Sequence, residues 1–322
     1  MSGTSTVSRI AEFGERFGLA VLFVAMIIGF SVAEPGTFLT GINIGNVLGN
    51  QSILALVGLA TLLPLVCGQL DLSLASIVSF TAVTTGSLTA RHAMPLGEVI
   101  PIVVLAGALV GLVNALLITR VGVNALITTL GMATVLAGVT SQISGGLSIV
   151  SGLPAGLLDF GAQRYGQIPS TFLIAVGVAL LLGYVLALTP FGRKLALVGG
   201  NPEAARLTGL RVDGLVVASF VMAGALAGIA GVLSVAANGV ADPQSGATLL
   251  LPALAAAFLG ATTIRPGRFN VAGTMLAIFF LAFTVNGLNL LGVSNAIESV
   301  FNGAALVIAV SISTVVAKRR GR

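Results

Sequence analysis

Few side chains in this chain can do covalent or metal chemistry. It has one histidine, His92, one cysteine, Cys67, and two lysines, Lys194 and Lys318. A single thiol cannot close an internal disulfide, and Cys67 with His92 cannot build a multi-ligand zinc site, so no metal ligand and no catalytic group is assigned. No G-x-x-x-x-G-K-[ST] segment occurs, and neither lysine follows a glycine loop of that kind. The chain therefore carries no P-loop for ATP. What remains is hydrogen-bonding chemistry. Asn114, Asn238, Asn286, Asn289 and Glu298 stand within or beside apolar runs. The amides offer donors and acceptors that suit a hydroxylated solute. They equally suit hydrogen bonds between helices in lipid. Asp71 is the acidic residue nearest the middle of apolar sequence. A charge at the bilayer centre costs about 2.5–3.5 kcal/mol on insertion scales, which argues for a function on a polar path or a partner. The alternative is that Asp71 caps a helix starting at Leu72, with Ser73 in support. No second buried acid accompanies it, which weighs against a proton relay.

The elements that must position these groups are apolar helices. Hydrophobic residues make up 56% of the chain and charged residues 8%, against about 25% charged in soluble domains. The expected fold class is an all-α polytopic membrane protein. Glycine is abundant, 42 of 322 residues, and Gly107-x-x-x-Gly111 and Gly224-x-x-x-Gly228 permit close helix contacts, within the chain or across a dimer. A span needs about 20 apolar residues. Ten candidates result: 17–33, 46–68, 72–90, 99–118, 125–142, 170–188, 214–236, 247–263, 271–291 and 296–317. Only residues 69–71 separate the second from the third, so a broken or re-entrant arrangement stays open there.

Ten crossings with a cytoplasmic N-terminus place 13 of the 15 basic residues inside and leave Arg91 and Arg164 outside. That asymmetry follows the positive-inside rule, with both termini cytoplasmic. It also accounts for the net charge of +5 without a nucleic-acid partner. Arg9 and Arg16, an apolar core and Ser31-Val32-Ala33 resemble a signal peptide, but nine further spans favour a retained first helix. Segment 143–169 is the longest external stretch, either a landing place for an external partner or a plain connector. Its Leu157, Leu158 and Phe160 are expected on the membrane surface. The domain reading is a cytoplasmic segment 1–16, one transmembrane domain 17–317 with a cytoplasmic loop 189–213, and a basic tail 318–322.

That loop holds the chain's longest charged interruption: Arg193, Lys194, Glu203, Arg206, Arg211 and Asp213. Asn201 can cap a helix whose first position is Pro202, where a missing N–H costs nothing. Glu203 suits the positive end of the helix dipole, and Gly209 can take the left-handed conformation that stops it. Two turns are too few for stability alone in water, so the helix leans on neighbouring structure or on a partner.

The segment GGNPEAARLTGL, with Glu203-Ala204-Ala205-x-x-x-Gly209, resembles the EAA-type loop of ABC importer permeases in the ribose/xylose/arabinose/galactose-type family. Gly68-Gln69-Leu70-Asp71-Leu72-Ser73-Leu74-Ala75-Ser76 is similar to the family's G-G-x-D-L-S-x-G-S segment. Thr129-Leu130-Gly131-Met132, Phe258-Leu259-Gly260, Gly273-Thr274 and Asn286-Gly287-Leu288-Asn289-Leu290-Leu291-Gly292-Val293 continue the resemblance in order, from about residue 38 onward. Gln69 and Ala75 replace glycines of the pattern, and 264–270 replaces a more glycine-rich loop. The resemblance implies a permease subunit of an importer for a monosaccharide or related polyol. It implies a cytoplasmic ATP-binding subunit, which would hold ATP and magnesium while this chain binds no cofactor. It further implies a second permease subunit, identical or paralogous, a periplasmic or tethered solute-binding protein, and surrounding membrane lipid. Asn201, Glu203, Ala204, Ala205, Arg206, Leu207 and Gly209 would form the ATPase-coupling helix. By their own chemistry, and not by the resemblance, Asp71, Asn114, Asn238, Asn286, Asn289 and Glu298 are the candidates for the substrate path. The rival class is an autonomous secondary carrier or channel, disfavoured by the shortage of buried ionisable residues for ion coupling. A membrane-embedded enzyme lacks a catalytic constellation.

Overall fold

A computed structural model describes residues 6–293, 300–301 and 303–311, with side-chain surroundings from Arg16 onward. Glu298 lies outside the described residues. The order is α1 (Thr6–Ala33), α2 (Gly41–Val66), α3 (Leu74–Gly86), α4 (Leu96–Leu116), α5 (Ala125–Ser144), α6 (Ala155–Ala162), β1 (Arg164–Tyr165), β2 (Ile168–Pro169), α7 (Ser170–Leu188), α8 (Pro190–Gly200), α9 (Pro202–Leu207), α10 (Val212–Asn238), α11 (Leu250–Gly260) and α12 (Val271–Leu290). Residues 300–301 and 303–311 are also helical. Single π turns extend α3 through Ser87–Arg91 and α4 through Leu117–Val121. Among the described residues, seven helices are long and apolar enough to cross a membrane: α1 from Arg16, α2, α4 with its π turn, α5, α7, α10 and α12.

The bundle is built around α2, which packs on α7, α10, α11 and α12. Thr40 accepts the Asn43 N–H at its start, and Pro64 sits in its last turn, before Gly68 leaves at φ +76°. Its residues from Ser52 to Leu65 are buried on every side, so it reads as uniformly apolar rather than amphipathic. Against it lies α10, and on α10 packs α4, antiparallel and in backbone contact. A Cβ on Gly107 would collide with the Gly224 carbonyl, one on Gly224 with Gly107, and one on Gly111 with Phe220. Both small-residue pairs thus pack inside one chain. Such approach replaces the hydrophobic drive that lipid does not supply.

Between α10 and α11 the chain is not helical. Residue Ala241 exchanges both backbone hydrogen bonds with Ile149 at 3.0 Å, and farther along the Gly246 N–H donates to Ser79 Oγ at 2.9 Å. Gly246 lies against the Ala75 carbonyl, near the start of α3, while Ala241 lies against Gly86 at its end. The segment therefore descends alongside α3 into the bundle. Irregular backbone is tolerated there because protein groups satisfy it. It is the reason the expected span 247–263 shows as the shorter α11.

Two ends of the bundle differ. One carries α8, α9, the start of α10, and the 261–270 loop, whose Ile264 N–H donates to the Arg16 carbonyl at 2.8 Å. The other carries α6, the β1–β2 hairpin and the start of α2. Leu157 of α6 is buried with Val232, Val235 and Ala236 of α10, not laid on a membrane surface. A Cβ on Gly161 would meet the Ala236 carbonyl, so α6 is pinned to α10 by a glycine contact.

Candidate functional site

At the hairpin end a partly open cavity of about 390 Å³ lies between α2, α6, the hairpin, α7, the end of α10 and the irregular segment before α11. Asn46 and Asn50 reach it from α2, spaced i, i+4 so that they share a face, and Asn238 reaches it from the last turn of α10. Hydroxyls come from Thr171, Ser234, Ser245 and Thr248. The cation on the wall is Arg164, whose guanidinium donates to Asn46 Oδ1 at 2.9 Å. Asn238 donates to Ser234 Oγ at 3.3 Å, while the buried Ser245 Oγ has no hydrogen-bond partner among the described residues. No carboxylate lines this cavity among the described residues. Amides, hydroxyls and one guanidinium can donate to and accept from a ring of hydroxyl groups. They offer an ammonium group neutral acceptors and no opposite charge.

Asn238 is the sequence-expected path residue that this cavity contains. Asp71 and Asn114 lie together elsewhere, at the break between α2 and α3. Asp71 Oδ1 accepts from the Ser73 N–H at 2.9 Å and from its hydroxyl at 2.6 Å, and Asn114 of α4 donates to the same Ser73 Oγ at 2.8 Å. The helix begins at Leu74, not Leu72, and the Asp71 carboxylate closes an Asx turn ahead of it instead of capping N2 or N3. All three residues are buried. Asn286 and Asn43 exchange two amide hydrogen bonds, at 2.8 and 3.0 Å, tying α12 to α2. Asn289 is exposed at the end of α12.

The opposite end holds α9. Asn201 Oδ1 accepts from the Ala204 N–H at 3.0 Å, Pro202 occupies the first position, Glu203 lies in the first turn, and Gly209 follows at φ +82°. This short helix is steadied from within. Ala205 is buried against Cys67, Leu195, Val198 and Val212, and Arg206 pairs with Asp213 at 2.8 Å. Pro202, Glu203, Ala204 and Leu207 point outward, and Leu207 is 91% exposed.

Sequence reasoning missed Asn46, Asn50, Arg164, Thr171, Ser234, Ser245 and Thr248. The i, i+4 spacing of Asn46 and Asn50 in an otherwise apolar helix was an available signal. The hydroxyls carried none, since serine and threonine in lipid usually bond back to their own helix, as Thr61 does to the Val57 carbonyl at 2.8 Å.

A bundle of membrane-crossing helices with a polar chamber at one end and a displayed helix at the other defines a transport subunit. Residues 43–310 match the family described as branched-chain amino acid transport system / permease component. The chain belongs to that family. The L-arabinose ABC transporter permease protein AraH of Azospirillum brasilense is 31% identical over 92% of this chain and 86% of its own. The autoinducer 2 import system permease protein LsrD of Photorhabdus temperata is 31% identical over 93% and 91%. Its Yersinia pseudotuberculosis counterpart (serotype O:3, strain YPIII) is likewise 31% identical over 93% and 91%. No solved structure matches the chain. As a permease component the chain is a transport subunit and a multi-pass protein of the bacterial inner membrane.

Proposed function

We propose that this chain is the membrane-spanning subunit of an ATP-driven importer for a neutral monosaccharide or a related polyhydroxylated solute. The observation that carries the reading is the cavity wall: amides, hydroxyls and Arg164, with no carboxylate. A branched-chain amino acid could pair its carboxylate with Arg164 but would meet neutral acceptors alone at its ammonium group, whereas a sugar's hydroxyl groups match the whole wall. The relatives named for L-arabinose and autoinducer 2 agree with the wall better than the family's general description does. Asn46, Asn50 and Asn238 would grip the solute, and Asp71 with Asn114 would brace the α2–α3 break. Asn286 and Asn289 stay with α12, away from the grip.

The α8–α9 end is taken as cytoplasmic, with ten crossings and both termini on that side. Support comes from Arg16, Arg120, Arg193, Lys194, Arg206, Arg211, Arg265 and Arg268 gathering there, while Arg91 and Arg164 sit at the other end. The domain layout is then segment 1–16, the transmembrane domain 17–317 with loop 189–213, and tail 318–322. In this orientation α9 docks on a cytoplasmic ATPase that binds ATP and magnesium, through Glu203, Ala204, Arg206 and Leu207, while Ala205 anchors it. A second permease subunit completes the pathway, and an external solute-binding protein delivers to the hairpin end. The test is ATP-dependent uptake into proteoliposomes containing the assembled complex. Neutral pentoses or hexoses should compete for uptake and leucine should not. Leucine transport with no response to sugars would overturn the substrate reading.

A further inference from the structure

The displayed helix α9 meets the rest of the chain through more than its flanking loops. Gly199, near the end of α8, has no room for a side chain: a Cβ there would collide with the Val66 carbonyl at the end of α2. The approach is mutual. Gly68, at φ +76°, would place a Cβ 3.4 Å from the Gly199 Cα. The next residue, Gly200, has nothing within 4 Å of its Cβ position. Two adjacent glycines in one helix end are thus opposite in kind, one wedged against α2 and one open.

The rest of the joint is closed. Cys67 is fully buried beneath Leu195 and Val198 of α8, Ala205 of α9 and Phe220 of α10. Just beyond it, Ser73 links Asp71 to Asn114 of α4, so the break after α2 is tied down. Followed the other way, α2 is a single helix whose first turns supply Asn46, Asn50 and Ile53 to the cavity wall. Twenty residues of helix span about 30 Å, so α2 joins the two ends of the molecule as one rod.

We propose that Gly199 is a positioning residue: it seats the α8–α9 unit directly on the end of α2, so that a displacement of α9 moves the cavity wall through α2 as well as through α10. The proposal rests on the reading of α9 as the ATPase-docking helix. Any side chain at Gly199 lifts α8 off α2 and leaves the route into α10, through the chain and the packing of Leu195, Val198 and Ala205 on Val212 and Phe220.

The test uses the assembled complex in proteoliposomes and compares Gly199→Ala with Gly200→Ala. The two changes alter helix propensity alike and differ in the contact. G199A should lower ATP-driven uptake and the stimulation of ATPase activity by loaded binding protein by about tenfold, within the usual range of coupling factors. The ATPase should still co-purify, because the outward face of α9 is untouched. G200A should stay near wild type. Wild-type uptake in G199A, equal loss in both variants, or loss of ATPase co-purification in G199A would each overturn the seat. A second measurement needs no variant, since Cys67 is the chain's one thiol. Peptide-resolved maleimide labelling should find it protected at rest and throughout ATP turnover, because α8 and α2 move together. Labelling that rises during turnover would show the two parting and would overturn the proposal. ATPase binding that survives Leu207→Asp would instead fail the docking reading.

Discussion

The two ends of this molecule present polar groups in opposite ways. At the hairpin end, polar side chains from α2, the hairpin, α7, α10 and an irregular segment converge on one partly open cavity. At the other end, six residues of continuous sequence form one capped helix that faces outward. Holding a small solute requires donors and acceptors on several sides at once, which only separate elements can supply. Docking on a soluble partner requires one rigid feature with an apolar contact, which a short stretch can supply whole. The proposed division puts recognition of the solute at one end and coupling at the other, joined by α2 and α10.

The sharpest way to separate the ends is Leu207→Asp. Burying a carboxylate at the centre of a docking contact should weaken ATPase association by roughly 30-fold or more. The side chain touches little of its own chain, so membrane abundance and thermal stability should hold within about 0.5 kcal/mol. Co-purification of the ATPase with the purified variant checks this. At the opposite end, Asn50→Ala or Asn238→Ala should raise the KM for uptake several-fold, since a lost hydrogen bond of this kind is worth about 1 kcal/mol. ATPase association should not change. If either variant altered ATPase docking and left KM alone, the division of labour would fail.

Smaller effects test how each end is held. Asn201→Ala removes the cap of α9 and should cost about 1 kcal/mol of local helix stability. Uptake should fall a few-fold and recover in Asn201→Ser or Asn201→Asp, which restore a side-chain acceptor. Weakest of all, Asn286→Ala breaks the amide pair with Asn43. Polar pairs of this kind in membranes average about 0.6 kcal/mol, so the melting temperature should drop slightly with KM unchanged. A large change in KM would place Asn286 on the solute path after all.

The contrast between the ends also explains what could be read from the chain alone. The cap at Asn201, the proline at 202 and the stop at Gly209 are local, so their chemistry is written in consecutive residues. Apolar run length likewise located most of the long helices. The cavity is non-local: Asn46, Arg164 and Ser245 become neighbours only through packing. The segment before α11 misled for a related reason. Ala247 and Leu249 are apolar enough to extend a span, but the turn through Gly239, Pro243 and Gly246 keeps that backbone out of a helix. Asp71 stands out in the sequence as an acid between apolar runs, yet its bonds to Ser73 and, through it, Asn114 depend on α4 lying alongside.

The central claim is that solute held at one end moves only when an ATPase acts on the other. Uptake of a radiolabelled neutral pentose into proteoliposomes tests it directly, with this chain alone and with its ATPase and binding protein. Transport is predicted to require ATP and the full set, and to vanish in Leu207→Asp. Accumulation by this chain alone under a proton or sodium gradient would contradict the account.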